Sequence, residues 1–535
     1  MDTGAHQAQR TFVDSRNDRE GDMPPREELV AGLLAAPVGA GMPVGAIHHA
    51  LRSRPIAASQ DGRAAGVAQR NRTDVIIHEP SVRAFRAGFR GDIPGPGDPE
   101  YDDARRVFNR MIDRRPALIA RARNAQDVRR AVLFAPEHAL PLSVKGGGHN
   151  VAGSAVCDDG LVVDCALMKG IQVDPERRVA VAQPGLLLGE VDAATQTFGL
   201  ATPLGTASIT GISGLTLGGG IGWLNGMHGL ACDNVVAADV VTADGELLRA
   251  SATEHPDLYW AIRGGSGNFG IVTSFVYALH PVARVWSGTL AYPPEQSRDA
   301  LRFYHEFSQT CPDELSTIAN LATDDAGRTV VAVAYSWCGT LHAGERALRT
   351  LRAFGNPTTD VVEMMDYCAL QRVIDDRFPV GRQHYWKSNF LTDFSEEAID
   401  VMLHFAAERP SPAPVHGAIG PSRSGIGFQH VHGAAARVDP AATAFPHRHA
   451  HHDFLILAQW TDPADAEPHI AWTRAFFEAM RPFTERAVYV NGLGVEGEDR
   501  VREAYGANYP RLAAIKGRYD PTNLFRANQN IQPLT

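Results

Sequence analysis

The chain has 535 residues, with 51 Lys and Arg against 61 Asp and Glu, giving a formal net charge of -10. That length accommodates two or more core-forming domains, and 44% hydrophobic with 21% charged residues is the composition of a globular protein. The acidic balance argues against broad nucleic-acid binding. Cys157, Cys165, Cys232, Cys311, Cys338 and Cys368 form no CxxC pair and no regular spacing, so neither a disulfide framework nor a zinc site is implied.

Residues 1–75 read as a poorly ordered extension. Within it, residues 29–47 are uncharged and rich in Ala, Gly and Val, but Pro37 and Pro43 interrupt them, which suits neither a membrane span nor a signal core. The expected location is therefore cytoplasmic, and the sequence indicates no oligomeric state. From residue 76 the texture changes. The run "ALIARARNAQDVRRAVLFAPEHALPLSVKGGGHN" reads strand, helix, strand, glycine loop, with Asn124 as helix N-cap and a stop before Pro136. A helix is expected at about 187–198, and two β-rich runs around Asp244-Gly245 form a hairpin signal. After residue 283, strand-like runs alternate with amphipathic helices at 295–309, 341–354, 395–408 and 466–480, the pattern of a sheet with helices on one face. The division expected is 76–283, 284–487 and a C-terminal segment 488–535 that begins with a helix and ends in a Pro- and Asn-rich tail.

Three glycine-rich blocks carry the chemistry. Lys145-Gly146-Gly147-Gly148-His149-Asn150, followed by Gly153 and Ser154, lets successive backbone N–H groups converge into a nest suited to a pyrophosphate, with a histidine beside it. The plainer alternative is a glycine turn that precedes a histidine. The second block, residues 203–223, holds Gly205, Gly211, Gly214, Gly218, Gly219, Gly220 and Gly222 among small and β-branched residues, with Thr206 and Thr210. So few charges imply burial against a large flat ligand or against another backbone. The third, Gly265-x-Gly267-x-x-Gly270, matches a dinucleotide fingerprint. However, the β-like run from Ile271 follows it where a Rossmann site needs a helix, so that reading is rejected.

Taken in order, KGGGHN, the TPLGT…GGGIGW run, the CDNVVAADVVTADG…DLYWAIRGGSGNFGIVTSF stretch and the tail "YGANYPRLAAIKGRYDPTNLFRANQNI" resemble the berberine bridge enzyme-like branch of the vanillyl-alcohol oxidase flavoprotein family. The resemblance implies an α+β fold: a PCMH-type FAD-binding domain of two α+β subdomains over 76–283, a substrate domain with an antiparallel sheet covered by helices over 284–487, and a C-terminal segment returning to the FAD domain. It implies FAD linked covalently through His149. Relatives that add a second, cysteinyl link carry it in a Gly-Thr-Cys where this chain has Gly205-Thr206-Ala207, so a single link is expected. The other expected cofactor contacts include Gly270, Ile271, Asn528 and Asn530. The implied reaction is hydride transfer from an alcohol, sugar, amine or ring system to flavin N5, with reoxidation by O2. Thr210 falls where the resemblance places a residue that gates oxygen. A flavin dehydrogenase with another acceptor, or a non-catalytic flavin-binding protein, shares these motifs.

The catalytic base is not where the family pattern puts it. Arg437 takes the place of a glutamate before Phe445-Pro446-His447-Arg448, and Gly492 follows Tyr489-Val490-Asn491 where another tyrosine is expected. The remaining candidates are His430 and His432, two apart on one strand and so on one side, with Tyr385 and Tyr489. His447, His449, His451 and His452 have no accompanying metal-enzyme pattern, and no metal is expected.

Overall fold

The computed structural model describes residues 77–282, 284–324, 328–410 and 424–534; the extension 1–75, with its apolar stretch 29–47, lies outside the described residues. Among the described residues, no helix is long and apolar enough to cross a membrane.

After the helices Glu79–Ala87 and Tyr101–Ala104 come three short strands: β1 (Leu118–Arg121), β2 (Leu142–Lys145) and β3 (Leu161–Asp164). They form a parallel sheet in the order β1-β3-β2. Their cores are nearly continuous apolar runs, as expected of a parallel sheet buried on both faces. The helix Ala125–Glu137 links β1 to β2, and Asn124 caps it by accepting from the Asp127 N–H at 3.0 Å. It runs through Pro136 rather than stopping before it. In the last turn proline forfeits only one ladder bond, and the N–H groups of His138 and Leu140 still reach Phe134 and Ala135 carbonyls.

Next come β4 (Ile171–Asp174), β5 (Val179–Ala182), the two-residue β6 (Leu200–Ala201), β7 (Val235–Val241), β8 (Leu247–Ser251) and β9 (Ile271–Ala278). Five of these form an antiparallel sheet in the order β4-β5-β9-β7-β8, while β6 pairs with β10 (His280–Pro281). The β7–β8 hairpin turns at Gly245, whose φ of +80° needs a residue without Cβ strain.

A seven-stranded antiparallel sheet makes the roof. Its strands are β11 (Arg284–Tyr292), β12 (Leu315–Thr323), β13 (Thr329–Trp337), β14 (Thr359–Asp366), β15 (Gln383–Leu391), β16 (Gly425–Val431) and β17 (His451–Trp460), in the order β14-β11-β13-β12-β16-β17-β15. The helices Ser297–Ser308, Leu341–Arg352, Glu396–Ala407 and Ala466–Met480 contribute to one core with this sheet. Alternation decides which side chains join them: Ile426, Phe428, Phe454 and Ile456 are fully or almost fully buried in that core. Each such side chain contributes about 1.5–3 kcal/mol relative to exposure. Their neighbours Gln429, Asp453 and Leu455 point to the other face, toward the glycine loops.

The helices Glu498–Tyr505 and Tyr509–Tyr519 return to the five-stranded sheet, sharing a core with Ala238, Val240, Phe275 and Tyr277. A fully buried ion pair fixes this return. Lys516 Nζ donates to Asp520 Oδ2 at 2.6 Å and to the carbonyls of Asn268 and Phe525. Asp520 in turn accepts from the N–H groups of Leu524 and Phe525. Lys516→Met leaves that carboxylate buried and unpaired, and should cost about 3–5 kcal/mol in urea unfolding. Lys516→Met with Asp520→Leu should recover part of the loss; no recovery would mean that packing rather than charge dominates here.

Candidate functional site

A cavity of about 350 Å³ lies between the glycine-rich loops and the covered end of the roof, where β15, β16 and β17 lie. Its floor is backbone. Gly146, Gly147, Gly148, His149 and Asn150 follow β2, and Thr210, Gly211, Ser213 and Gly214 face them. The two loops touch at Gly147 and Gly211: a Cβ on Gly147 would come within 2.6 Å of Gly211 Cα and N, and a Cβ on Gly211 would strike Gly147. Gly148, at φ +65°, turns the chain so that His149 reaches the wall. One end of the cavity is apolar, lined by Leu142, Val144, Cys165, Ile271 and Phe525. The other holds His149, Phe378, Trp386, Gln429, Asp453, Tyr489 and Asn491.

His149 is half-buried with its Nε2 out of solvent, and burial pushes its pKa down to about 4, so the imidazole is neutral at ordinary pH. Its ring stacks on Phe108 at 4.0 Å between centroids, and Phe108 stacks on His384 of β15 at 4.3 Å. His149 Nε2 is buried with no hydrogen-bond partner. Across the cavity, Gln429 and Asp453 are cross-strand partners on β16 and β17. Burial pushes the Asp453 carboxyl up to about 6, against the Ser388 hydroxyl that donates to it at 2.9 Å. The Tyr489 hydroxyl oxygen accepts from the Gly220 N–H at 2.9 Å and from Asn491 Nδ2 at 2.8 Å. Burial pushes this phenol well above its ordinary value. Behind this wall the buried Arg448 forks onto Asp233 at 2.7 and 2.8 Å, joining the roof to the segment before β7.

The cavity gathers, of the residues expected from sequence, Gly146, Gly147, Gly148, His149, Asn150, Ser154, Gly205, Thr206, Thr210, Gly211, Gly214, Gly270, Ile271, Tyr489 and Asn528. Others stand outside its lining. Lys145 turns its ammonium to the Ala104 carbonyl and to Asp164. Gly153 packs on Ile112 at φ +69°. Gly218, Gly219, Gly220 and Gly222 admit the close approach of Asn491, Phe445, Ala231 and the Leu204 carbonyl respectively, so this half of the second block serves packing. Asn530 is also outside. His430 and His432 do share a side, but it is the side away from this cavity: β16 ends at Val431, and both imidazoles open on a separate pocket. Tyr385 faces the helices and accepts from Arg474 Nε at 3.1 Å. Arg437 lies on the short helix Gly433–Arg437, paired with Asp313. His447 and His449 precede β17, bonded to the Ala504 carbonyl and to Glu485. Sequence reasoning missed Asp453, Gln429 and Trp386. A lone carboxylate in the apolar run "DFLILAQW" was the available signal for Asp453.

Two family models match the chain: an FAD binding domain over residues 116–251 and a berberine and berberine-like domain over 488–532. An FAD-linked oxidoreductase of Dictyostelium discoideum is 30% identical over 458 residues, covering 85% of this chain and 97% of the relative. The chain belongs to the berberine bridge enzyme-like family of FAD-linked oxidoreductases. The (R)-6-hydroxynicotine oxidase of Paenarthrobacter nicotinovorans is also 30% identical, over 85% of this chain and 99% of that one. The crystal structure of 6-hydroxy-D-nicotine oxidase from Arthrobacter nicotinovorans superposes with a TM-score of 0.76 at 28% identity, covering 83% of this chain and 98% of that one. The fold is α+β, and the protein is an FAD-dependent oxidoreductase.

The residues present fit that cofactor. A Cβ added at Gly214 or Gly267 meets no protein atom within 4 Å, although both glycines line the cavity. His149 Nε2 and Asn528 Oδ1 are buried polar atoms awaiting a partner. Gly214→Ala should therefore fold with an unchanged melting temperature but purify with several-fold less flavin, read from the visible-to-ultraviolet absorbance ratio. Gly147→Ala, which drives one backbone into another, should lose both flavin and stability. Full flavin content in both variants would remove FAD from these loops.

Proposed function

We propose that this berberine bridge enzyme-like oxidoreductase holds FAD by a single covalent bond to His149. With it the enzyme oxidises a C–H bond of a neutral or cationic small molecule, an alcohol, sugar, amine or ring system, and O2 is the acceptor. Bound FAD supplies the redox chemistry, accepting a hydride at N5 and passing the electrons on. The observation that carries this reading is the neutral imidazole of His149 with a buried, unpartnered ring nitrogen at the cavity wall. Ala207 stands in the same wall without a thiol to offer. Cys165 lines the opposite, apolar end, where burial pushes its thiol up to about 12 and leaves it unreactive.

Asp453 is the proposed base. It is ionised above about pH 6, and it opens on the end of the cavity that also holds His149. Tyr489 suits a different task. Its oxygen already accepts two hydrogen bonds, and its proton is held tightly, so it donates to the substrate and orients it. Gln429 and Asn491 add amide donors and acceptors. Trp386 and Phe378 supply an aromatic surface for a ring or a sugar face. No lysine or arginine side chain lines the cavity among the described residues, which disfavours an anionic substrate. Thr210 lines the same cavity, and its proposed role is to gate the approach of O2.

Denaturing electrophoresis under ultraviolet light tests the tether: yellow fluorescence should stay with the wild-type and Cys232→Ala bands and leave the His149→Ala band. Fluorescence persisting in His149→Ala assigns the bond elsewhere. Anaerobic flavin reduction by a panel of alcohols, sugars and amines, followed by admission of O2, tests the reaction; a reduced flavin that O2 reoxidises no faster than free flavin would remove the oxidase reading.

For the base, kcat/KM should rise with pH through about 6, because the carboxylate forms above its raised pKa. Asp453→Asn should cost about 10²–10⁴-fold and abolish that limb. A limb that survives in Asp453→Asn gives the base role to another group.

A further inference from the structure

A second pocket, of about 190 Å³, lies on the opposite side of β16 and β17, and its character is unlike that of the first. Five cysteine and histidine side chains line it, His451 among them, and four of these come together from three segments. Cys311 comes from the loop after the helix Ser297–Ser308, His430 and His432 from the end of β16, and His452 from β17. The donor atoms of Cys311, His430 and His432 lie within 4.8 Å of one another. His430 and His452 are cross-strand partners with ring centroids 4.9 Å apart, and the rings of His430 and His432 lie 4.2 Å apart.

Protein partners satisfy these rings only in part. Nδ1 of His430, Nδ1 of His432 and both nitrogens of His452 are buried with no hydrogen-bond partner. His430 is only 2% exposed and His432 5%. A buried polar atom of this kind normally finds a partner, and four in one pocket mark a missing one. His432 is already oriented for it. Its Nε2 lies 3.3 Å from the Pro312 carbonyl, to which Nε2–H donates, so the lone pair sits on Nδ1, the unpartnered atom. Backbone acceptors fix the tautomer of metal-bound histidines in this way.

We propose that Cys311, His430 and His432, with His452 as the fourth donor, form a site for Zn²⁺. The donor set of one sulfur and imidazole nitrogens selects zinc or a similar borderline-soft cation over Mg²⁺ or Ca²⁺. Zinc–nitrogen and zinc–sulfur bonds of about 2.0–2.3 Å require donor atoms about 3.3–3.7 Å apart, so binding draws Cys311, His430 and His432 together by about 1 Å and swings the His430 ring out of its stack on His432. On binding, Cys311 exchanges its S–H, now donated to the Leu315 carbonyl at 3.1 Å, for a sulfur–zinc bond, and the proton leaves to solvent. Gln309, Asp313 and Arg437 line the pocket at its more exposed side and provide the way in. The ion is a structural tie. It fastens the loop at Cys311 to the ends of β16 and β17, and Gln429, the residue before His430, lines the flavin cavity on the other face. This assignment does not depend on the substrate or the acceptor.

The test uses the flavin-loaded full chain prepared without an added histidine tag. Elemental analysis and equilibrium dialysis against Zn²⁺ should give one ion per chain. Co²⁺ in its place should give intense tetrahedral d–d bands on the long-wavelength side of the flavin absorption. Cys311→Ser and His432→Gln should each weaken Zn²⁺ uptake about tenfold or more while the flavin spectrum is unchanged, and His449→Gln should leave uptake intact. Wild-type protein that takes up no Zn²⁺ overturns the proposal, as do weak octahedral Co²⁺ bands, which need no variant to fold. So does uptake that survives Cys311→Ser and His432→Gln.

Discussion

The cavity exists because two backbones meet where neither carries a side chain. Gly147 and Gly211 press together closely enough that a Cβ on either would strike the other. The second loop cannot retreat, because the Leu188 N–H bonds the Thr210 carbonyl and the Ile212 N–H bonds the Leu186 carbonyl on either side of Gly211. The first is held by β2, whose Lys145 is anchored to Asp164 at the end of β3. Two pinned loops in contact make a floor of peptide groups rather than of side chains. Such a floor offers N–H donors to an anionic group without a fixed positive charge nearby, which accounts for the lysine of the motif being turned away.

The glycine blocks and the order of elements were legible because they are local. Asn124 caps its helix, Asp244-Gly245 turns its hairpin, and KGGGHN brings His149 to the cavity, all within a few residues of chain. The functional face of the roof was not legible in the same way. His430 and His432, two apart at the end of β16, attracted a catalytic reading, but chemistry at a sheet depends on which face each residue occupies, and that is set by the helices packing on Phe428 and Phe454. Once those phenylalanines are assigned to the core, Gln429 and Asp453 are obliged to face the cavity, and His430 and His452 are obliged to face away. The glycines from Gly218 to Gly222 show the same limit: sequence reveals that a backbone is approached closely, but not whether a ligand or Phe445 makes the approach.

The wall that faces the cofactor end is built from unlike pieces held by few long-range bonds. Asn109 bridges from the loop beside Phe108 to β15, accepting from the His384 N–H and donating to the His384 and Val151 carbonyls. The Phe390 N–H reaches the Ala487 carbonyl, and the Glu485 N–H reaches the Phe390 carbonyl. These bonds occupy the outer edge of β15, so the strand nearest His149 is an edge by topology and yet a paired strand by hydrogen bonding. The stack of His149, Phe108 and His384 then runs through apolar contact across that seam.

The two ends of the roof consequently meet different surroundings. β14 closes the far end with most of its residues exposed and with Asp360, Glu363 and Asp366 along it. Charged side chains on an exposed edge, here Glu363 with Asp360 paired to Arg352 and Asp366 paired to Arg284, disfavour a second strand that would otherwise add to it. The burden of keeping the sheet from growing between molecules thus falls on the margin most remote from Asp453 and Gln429, so selection for solubility and selection for chemistry act on separate strands and need not compromise each other.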